Sequence, residues 1–216
     1  MERKKAIISF MNIFFDGQDE EIFSALEKIT VLVKKDKKEM LFFEGDEGSS
    51  MYFLVSGSIK LFKINAEGKE AVIRFVEPCE LFAEILLYMK NRYPVNAMAI
   101  QPSQLLAINA KQLFGFIKQK PEFAMKIIER LASRTKYLMK MIENLTLSDV
   151  RGKFLNYLRF MKRQSKEEDI TLPVPKGELA LLLGIAPETF SRLLKKLSKE
   201  KLISVKGRKI KILFQL

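Results

Sequence analysis

The 21 residues from Lys176 to Lys196, KGELALLLGIAPETFSRLLKK, constrain this chain more than any other stretch. Apolar residues fall at Leu179, Leu183, Ile185, Phe190 and Leu193, with the small Ala180 in phase and Gly184 between two helical runs. A glycine there suits the left-handed position that ends a first helix. Pro187 falls just inside the next helix, where a missing N–H costs nothing. Two short helices joined by a tight glycine turn make a helix-turn-helix. On the second helix Phe190, Leu193, Leu194 and Leu197 share one face. Glu188, Ser191, Arg192 and Lys195 share the other, and Thr189 joins them as a candidate contact. Such groups read base edges in a major groove. The alternative is a surface pair of helices with an ordinary charged face.

Charge supports the first reading. The net charge of +12 is uneven along the 216 residues. Residues 1–110 hold 14 Lys/Arg against 16 Asp/Glu, whereas residues 111–216 hold 24 against 10. A near-neutral front half and a strongly basic back half fit a sensor joined to a polyanion binder. Lysine enrichment for stability or solubility would not produce that asymmetry. One cysteine, Cys79, excludes an internal disulfide and a four-cysteine iron–sulfur cluster within one chain. The absence of histidine removes the Ser-His-Asp triad, the usual zinc sites and the common proximal haem ligand. No apolar run is long enough for a membrane span and no signal-peptide core stands out, so a cytoplasmic protein is expected.

Taken in order, Gln18 to Ile29 has Ile22, Phe23, Leu26 and Ile29 at helical spacing. From Val31 to Asn109 the texture turns to short apolar runs of β type: 31–33, 40–43, 51–55, 59–64, 71–76, 95–100 and 105–108. Turn residues separate them at Glu44-Gly45-Asp46, Ser56-Gly57-Ser58, Glu67-Gly68, Pro78 and Pro102. That pattern predicts a β-barrel or jelly-roll-like sandwich. Lys120-Pro121 opens the longest helix, running to about Leu145. Ala124, Ile128, Leu131, Thr135, Leu138, Ile142 and Leu145 alternate four-and-three spacing, a coiled-coil seam that predicts a parallel homodimer. Ser148-Asp149 can cap a further helix, Val150 to about Arg163, followed by a polar loop, 164–169, and an extended stretch to Pro175. Residues 202–205 and 209–214 flank Lys206-Gly207-Arg208 as a hairpin. Its Lys206, Arg208 and Lys209, with Lys176, are candidate phosphate contacts.

These residues resemble the family of bacterial regulators that includes the cyclic-AMP receptor protein and the fumarate–nitrate reduction regulator (Crp–Fnr). Glu44-Gly45-Asp46, Tyr52 through Gly57 to Ile59, and Phe82-Ala83-Glu84 look like its β-roll. The long helix looks like its dimerisation helix, and Asn144-Leu145 with Asp149-Val150-Arg151-Gly152-Lys153 like its hinge. The resemblance implies an α+β chain with a β-roll sensor domain at 1–119, a dimerisation helix at 120–146 and a winged helix-turn-helix at 147–216. Glu188, Ser191 and Arg192 match the fumarate–nitrate pattern, which implies TTGA-like half-sites in inverted repeat on double-stranded DNA. The cyclic-AMP type carries an Arg where Pro187 stands. Arg192 would take guanine O6 and N7, and Glu188 the paired cytosine. RNA polymerase is the further partner that the resemblance implies.

The expected effector pocket, between β-roll and long helix, departs from the cyclic-AMP pattern. Glu84 survives, but Ala83 replaces a Gly, Tyr93-Pro94 stand where an Arg-Ser clamp would be, and Leu138-Met139 replace a purine-reading Thr-Ser. A buried phosphate without an Arg is costly. Arg92 could serve only if the alignment slips by a residue or two. Phe82 completes an apolar pocket that suits a hydrophobic or planar effector, or none, so the cofactor is unknown. Cys79 reads as packing or as a redox thiol, with packing preferred. Two other classes compete. One is an enzyme on a cupin-like barrel, which would hold metal mainly through histidine. The other is an architectural DNA binder whose sensor half is vestigial.

Overall fold

The computed structural model describes residues 2–15, 19–87, 92–147, 149–164 and 169–213. The expectations for Gln18, Ser148, residues 165–168 and Phe214 lie outside that set. The chain divides into two compact units, Met1–Lys69 with Ile73–Ala132, and Glu70–Val72 with Ser133–Leu216. Helix and sheet are mixed as expected, with the larger sheet in the first unit.

That sheet is built from β1 (Thr30–Lys35), β2 (Met40–Phe42), β3 (Ser50–Ile64), β4 (Glu70–Val76), β5 (Leu81–Phe82) and β6 (Asn96–Asn109). Its order is β1-β6-β3-β4, with β2 on β6 and β5 on β3. Four runs expected as separate strands are in fact two long ones. Residues 51–55 and 59–64 are halves of β3, and 96–100 and 105–108 fall in β6. The two pair antiparallel from Ser50↔Asn109 to Phe62↔Asn96. At Ser56-Gly57-Ser58 and Pro102, expected as turns, the strands bulge instead, and the register shifts between Leu54 and Ile59. Gly57 has φ +98°, and a Cβ there would lie 2.2 Å from Ser103 Oγ and 2.6 Å from the Pro102 carbonyl oxygen. The Ser103 hydroxyl accepts from the Ser58 N–H at 3.1 Å and donates to the Gln101 carbonyl at 2.8 Å. A bulge bends a strand without ending it, and tolerates the proline.

Two helices beyond those expected from the sequence cover this sheet. They are α1 (Glu2–Phe14) and α3 (Ala110–Gln119); α2 (Glu20–Ile29) was expected, and Asp19 caps it by accepting from the Glu21 and Ile22 N–H groups. In α1 the buried Ile7, Phe10, Met11 and Phe14 face the core. Phe10 meets Phe53 of β3 edge-on at 5.3 Å, and Phe15 stacks on Phe123 at 4.8 Å. Phe123 belongs to α4 (Pro121–Leu147), the long helix. Along α4 an apolar stripe stays exposed: Met125, Ile128, Leu131, Met139 and Ile142. Ala124 and Leu138, expected in the seam, are half-buried.

The second unit contains α5 (Val150–Gln164), β7 (Asp169–Thr171), α6 (Lys176–Leu182), α7 (Pro187–Lys199), β8 (Ile203–Lys206) and β9 (Lys209–Ile212). Asp149 caps α5, its carboxylate accepting from the Gly152 N–H at 2.6 Å. The three strands pair in the order β7-β9-β8, so the extended stretch before α6 joins the predicted hairpin. Among the described residues no helix is long and apolar enough to cross a membrane.

Candidate DNA-reading and effector sites

The α6–α7 corner is held by local geometry. Gly184 adopts φ +63°. Its N–H donates to the Leu181 carbonyl at 3.1 Å, and the Ile185 N–H reaches the Ala180 carbonyl at 2.9 Å. This paired closure ends a helix on a left-handed residue. Pro187 opens α7 at its first turn. Phe190, Leu193, Leu194 and Leu197 are buried, and Phe190 meets Phe154 of α5 edge-on at 5.0 Å. α7 is thereby docked on a second helix through its apolar face.

Its other face is open. Glu188, Ser191, Arg192 and Lys195 are exposed and Thr189 is half-buried. The Thr189 hydroxyl accepts from Arg192 Nη2 at 3.4 Å, a long bond that leaves most of the guanidinium fork available. A groove of about 570 Å³ brings Lys176, Ser191, Lys195 and Ser198 together with Val205 of the wing. Glu188 and Arg192 do not line that groove; they stand on the α7 surface beside it. Lys206, Arg208 and Lys209 are exposed around the wing turn, where Gly207 has φ +60°. The Arg208 carbonyl accepts from the Leu172 N–H at 2.9 Å, which ties the turn to the segment before α6.

In the first unit the expected effector residues meet a different environment. Phe82 and Tyr93 are core residues. The Phe42 and Tyr93 rings stack 3.7 Å apart, and Phe82 stacks on Tyr52 at 5.5 Å. The Tyr93 hydroxyl donates to the Ser50 carbonyl at 2.9 Å. Burial, with the Tyr52 hydroxyl nearby, pushes the Tyr93 phenol well above its ordinary range. Gly48 makes room for this ring, since a Cβ there would lie 2.8 Å from Tyr93 Cζ. Tyr93 is thus a wedge packed into the β-domain, with Pro94 half-buried behind it. Arg92 donates instead to the Gly45 carbonyl at 2.7 Å, tied to the Glu44-Gly45-Asp46 turn. Ala83 adopts φ +60°, a conformation that favours glycine. Glu84 begins a 3-10 turn, Glu84–Leu87. Leu138 and Met139 fall in the second unit, Leu138 half-buried and Met139 66% exposed. Cys79 is exposed, not packed: it sits after Pro78 at φ +70° in a turn closed by the Glu80 N–H and the Glu77 carbonyl.

Two buried cations of the β-domain escaped the sequence reading, Lys60 and Arg74. The alternation in 71–76 carried the signal, because Arg74 is in phase with the inward Val72 and Val76.

Residues 32–120 match the family model of the cyclic nucleotide-binding domain, and residues 152–213 match the Crp-like helix-turn-helix domain. The chain belongs to the Crp–Fnr family of transcription regulators. Among its relatives, the global nitrogen regulator of Nostoc sp. is 27% identical, over 82% of each chain. The cyclic AMP receptor protein of Thermus thermophilus is 28% identical, over 74% of this chain and 73% of that one. A CooA mutant from Carboxydothermus hydrogenoformans has the same fold, with a TM-score of 0.79 at 18% identity, covering 96% of this chain and 91% of that one. The Crp–Fnr assignment brings DNA binding with it through the helix-turn-helix domain.

Proposed function

We propose that this Crp–Fnr protein is a cytoplasmic, non-enzymatic, dimeric regulator. Its β-roll senses an effector other than cyclic AMP and sets the spacing of two reading helices on an inverted repeat. The observation that carries the reading is the open face of α7. Glu188, Ser191 and Arg192 stand exposed together, flanked by the cations Lys176, Lys195, Lys206, Arg208 and Lys209. Arg192 takes the guanine and Glu188 its paired cytosine in a TTGA-like half-site. The flanking cations hold phosphates and add affinity without sequence choice. Dimerisation runs along α4, where the exposed Ile128, Leu131 and Ile142 support a seam. Two-fold symmetry then sets the reading helices about 34 Å apart. The working division is β-roll 1–119, dimer helix 120–146 and DNA-binding domain 147–216, with RNA polymerase as partner.

Against cyclic AMP stand the buried Tyr93 in place of an arginine and the apolar Leu138-Met139. Selection of bound sites from a random DNA pool tests the whole. An enriched inverted repeat with a G·C pair that depends on Arg192 is expected. Enrichment without an inverted repeat would instead fit an architectural binder and overturn this reading.

A further inference from the structure

Inside the second unit, side chains away from the open face of α7 join three helices in series. The last turns of α4, from Ser133 on, belong to this unit together with α5 and α7. Two residues separate Leu147, which ends α4, from Val150, which starts α5. Tyr137 lies ten residues before Leu147, and Phe160 ten residues after Val150. Their rings meet with centres 5.6 Å apart, inclined by 53°. At the rise of an α-helix each ring stands about 15 Å from the corner. Contact at equal distances along both arms means that α5 runs back beside α4, as in a helical hairpin.

α7 is fixed to α5 at two points. Phe190, in its first turn, meets Phe154 edge-on at 5.0 Å. Glu200, its C-cap, takes an ion pair from Arg151 Nη1 at 2.9 Å. A carboxylate at a helix C-terminus opposes the macrodipole, and the arginine offsets it. These contacts hold opposite ends of α7, so α5 and α7 move as one body. On α4 the residues divide by face. Ile142 stands five residues past Tyr137, about 140° around the helix. Tyr137 is half-buried and meets α5, whereas Ile142 is 63% exposed.

We propose that the Tyr137–Phe160 ring pair is a positioning contact that sets the half-site spacing this protein selects. It fixes the angle between the end of α4, which carries the seam, and the α5–α7 body, which carries Glu188 and Arg192. Two copies related by a two-fold axis along the seam then present α7 at one separation only. The proposal rests on the dimeric-regulator reading and adds which side chains choose the spacing. Both rings act through α5, since neither lies on the open face of α7. Were the pair packing alone, its loss would weaken binding to every DNA alike.

Full-length protein is titrated against the selected inverted repeat, the same half-sites moved by two base pairs either way, and one half-site alone. The unaltered protein should prefer the selected spacing at least about tenfold. Tyr137→Ala and Phe160→Ala should each bring the spacings to within about threefold of one another, with half-site affinity kept within about twofold. The double variant should be no more permissive than either single one, because both remove the same contact. Tyr137→Phe keeps the ring and should keep the preference. Light scattering and circular dichroism show which samples are folded dimers. Should Phe160→Ala fail to fold, Tyr137→Ala decides, since alanine is the strongest helix former and Tyr137 lies mid-helix. A spacing preference that survives in folded alanine variants overturns the proposal. So does an equal loss at the half-site and the full repeat. If the unaltered protein prefers no spacing, the dimeric-regulator reading falls, and the ring pair falls with it.

Discussion

Positive charge is used in opposite ways in the two units. On α7 and the wing, Arg192, Lys195, Lys206, Arg208 and Lys209 project into solvent, where each keeps its hydration. In the β-roll, Lys60 and Arg74 are enclosed, and their desolvation is already borne in the folded chain. Exposed cations can be exchanged with little effect on the fold, so their arrangement reports binding. Enclosed ones must be matched inside the fold, as Arg74 is by the Glu80 carboxylate at 3.0 Å. The same contrast runs through the apolar residues. Phe154 and Phe190 are enclosed and hold α7 against α5, whereas the apolar stripe of α4 is exposed.

The contrast can be broken first at the aromatic lock. Phe154→Ala should cost about 3–5 kcal/mol. Hydrogen exchange should show the loss confined to the second unit; protection lost equally in the β-roll would mean that the two halves do not behave separately. Ile142→Asp should next abolish the dimer while leaving the subunit fold intact, because Ile142 is 63% exposed. Light scattering checks the mass, and affinity for an inverted repeat should fall at least about tenfold, or ~1.4 kcal/mol. A dimer of unchanged stability would locate the seam elsewhere.

Finer tests compare one residue from each unit. Gly57→Ala should cost about 1–3 kcal/mol from its left-handed backbone alone, read in the β-roll transition, with further loss from the contact at Ser103. Arg192→Ala should leave that transition unmoved and weaken binding by about 1–3 kcal/mol per half-site, with relaxed preference at one G·C pair. The smallest effect belongs to Tyr93→Phe, about 1 kcal/mol for the lost bond to Ser50. Its pH dependence has a definite sign. A phenol whose folded pKa is raised holds its proton above pH 10.0, the ordinary tyrosine value, where the unfolded chain releases it. Stability therefore falls as pH rises past that value, and Tyr93→Phe should flatten the fall. An unchanged alkaline slope would mean that the Tyr93 hydroxyl is not held as described.

What the sequence determined by itself is what local chemistry decides. The glycine turn at Gly184, the proline opening α7, the two faces of that helix and the wing turn at Gly207 follow from neighbours a few residues apart. So does the choice between sheet and helix in most segments, and the basic bias of the second half survives any fold. The tertiary structure alone decided what depends on residues far apart in the chain. Ser56-Gly57-Ser58 reads as a turn until Ser103, 45 residues away from Ser58, closes against it and carries the strand through. In α1 the apolar residues run almost without a break from Ala6 to Phe15, which masks the period of Ile7, Phe10, Met11 and Phe14; Phe53 and Phe123, far down the chain, decide which face turns inward. Tyr93 looks like a lost clamp in the sequence; the fold turns it inward, stacks it on Phe42 and bonds it to Ser50. Lys60 and Arg74 look like two more basic residues on two strands. Only the fold takes them out of water, because periodicity specifies which face a side chain takes, whereas burial depends on what arrives to cover that face.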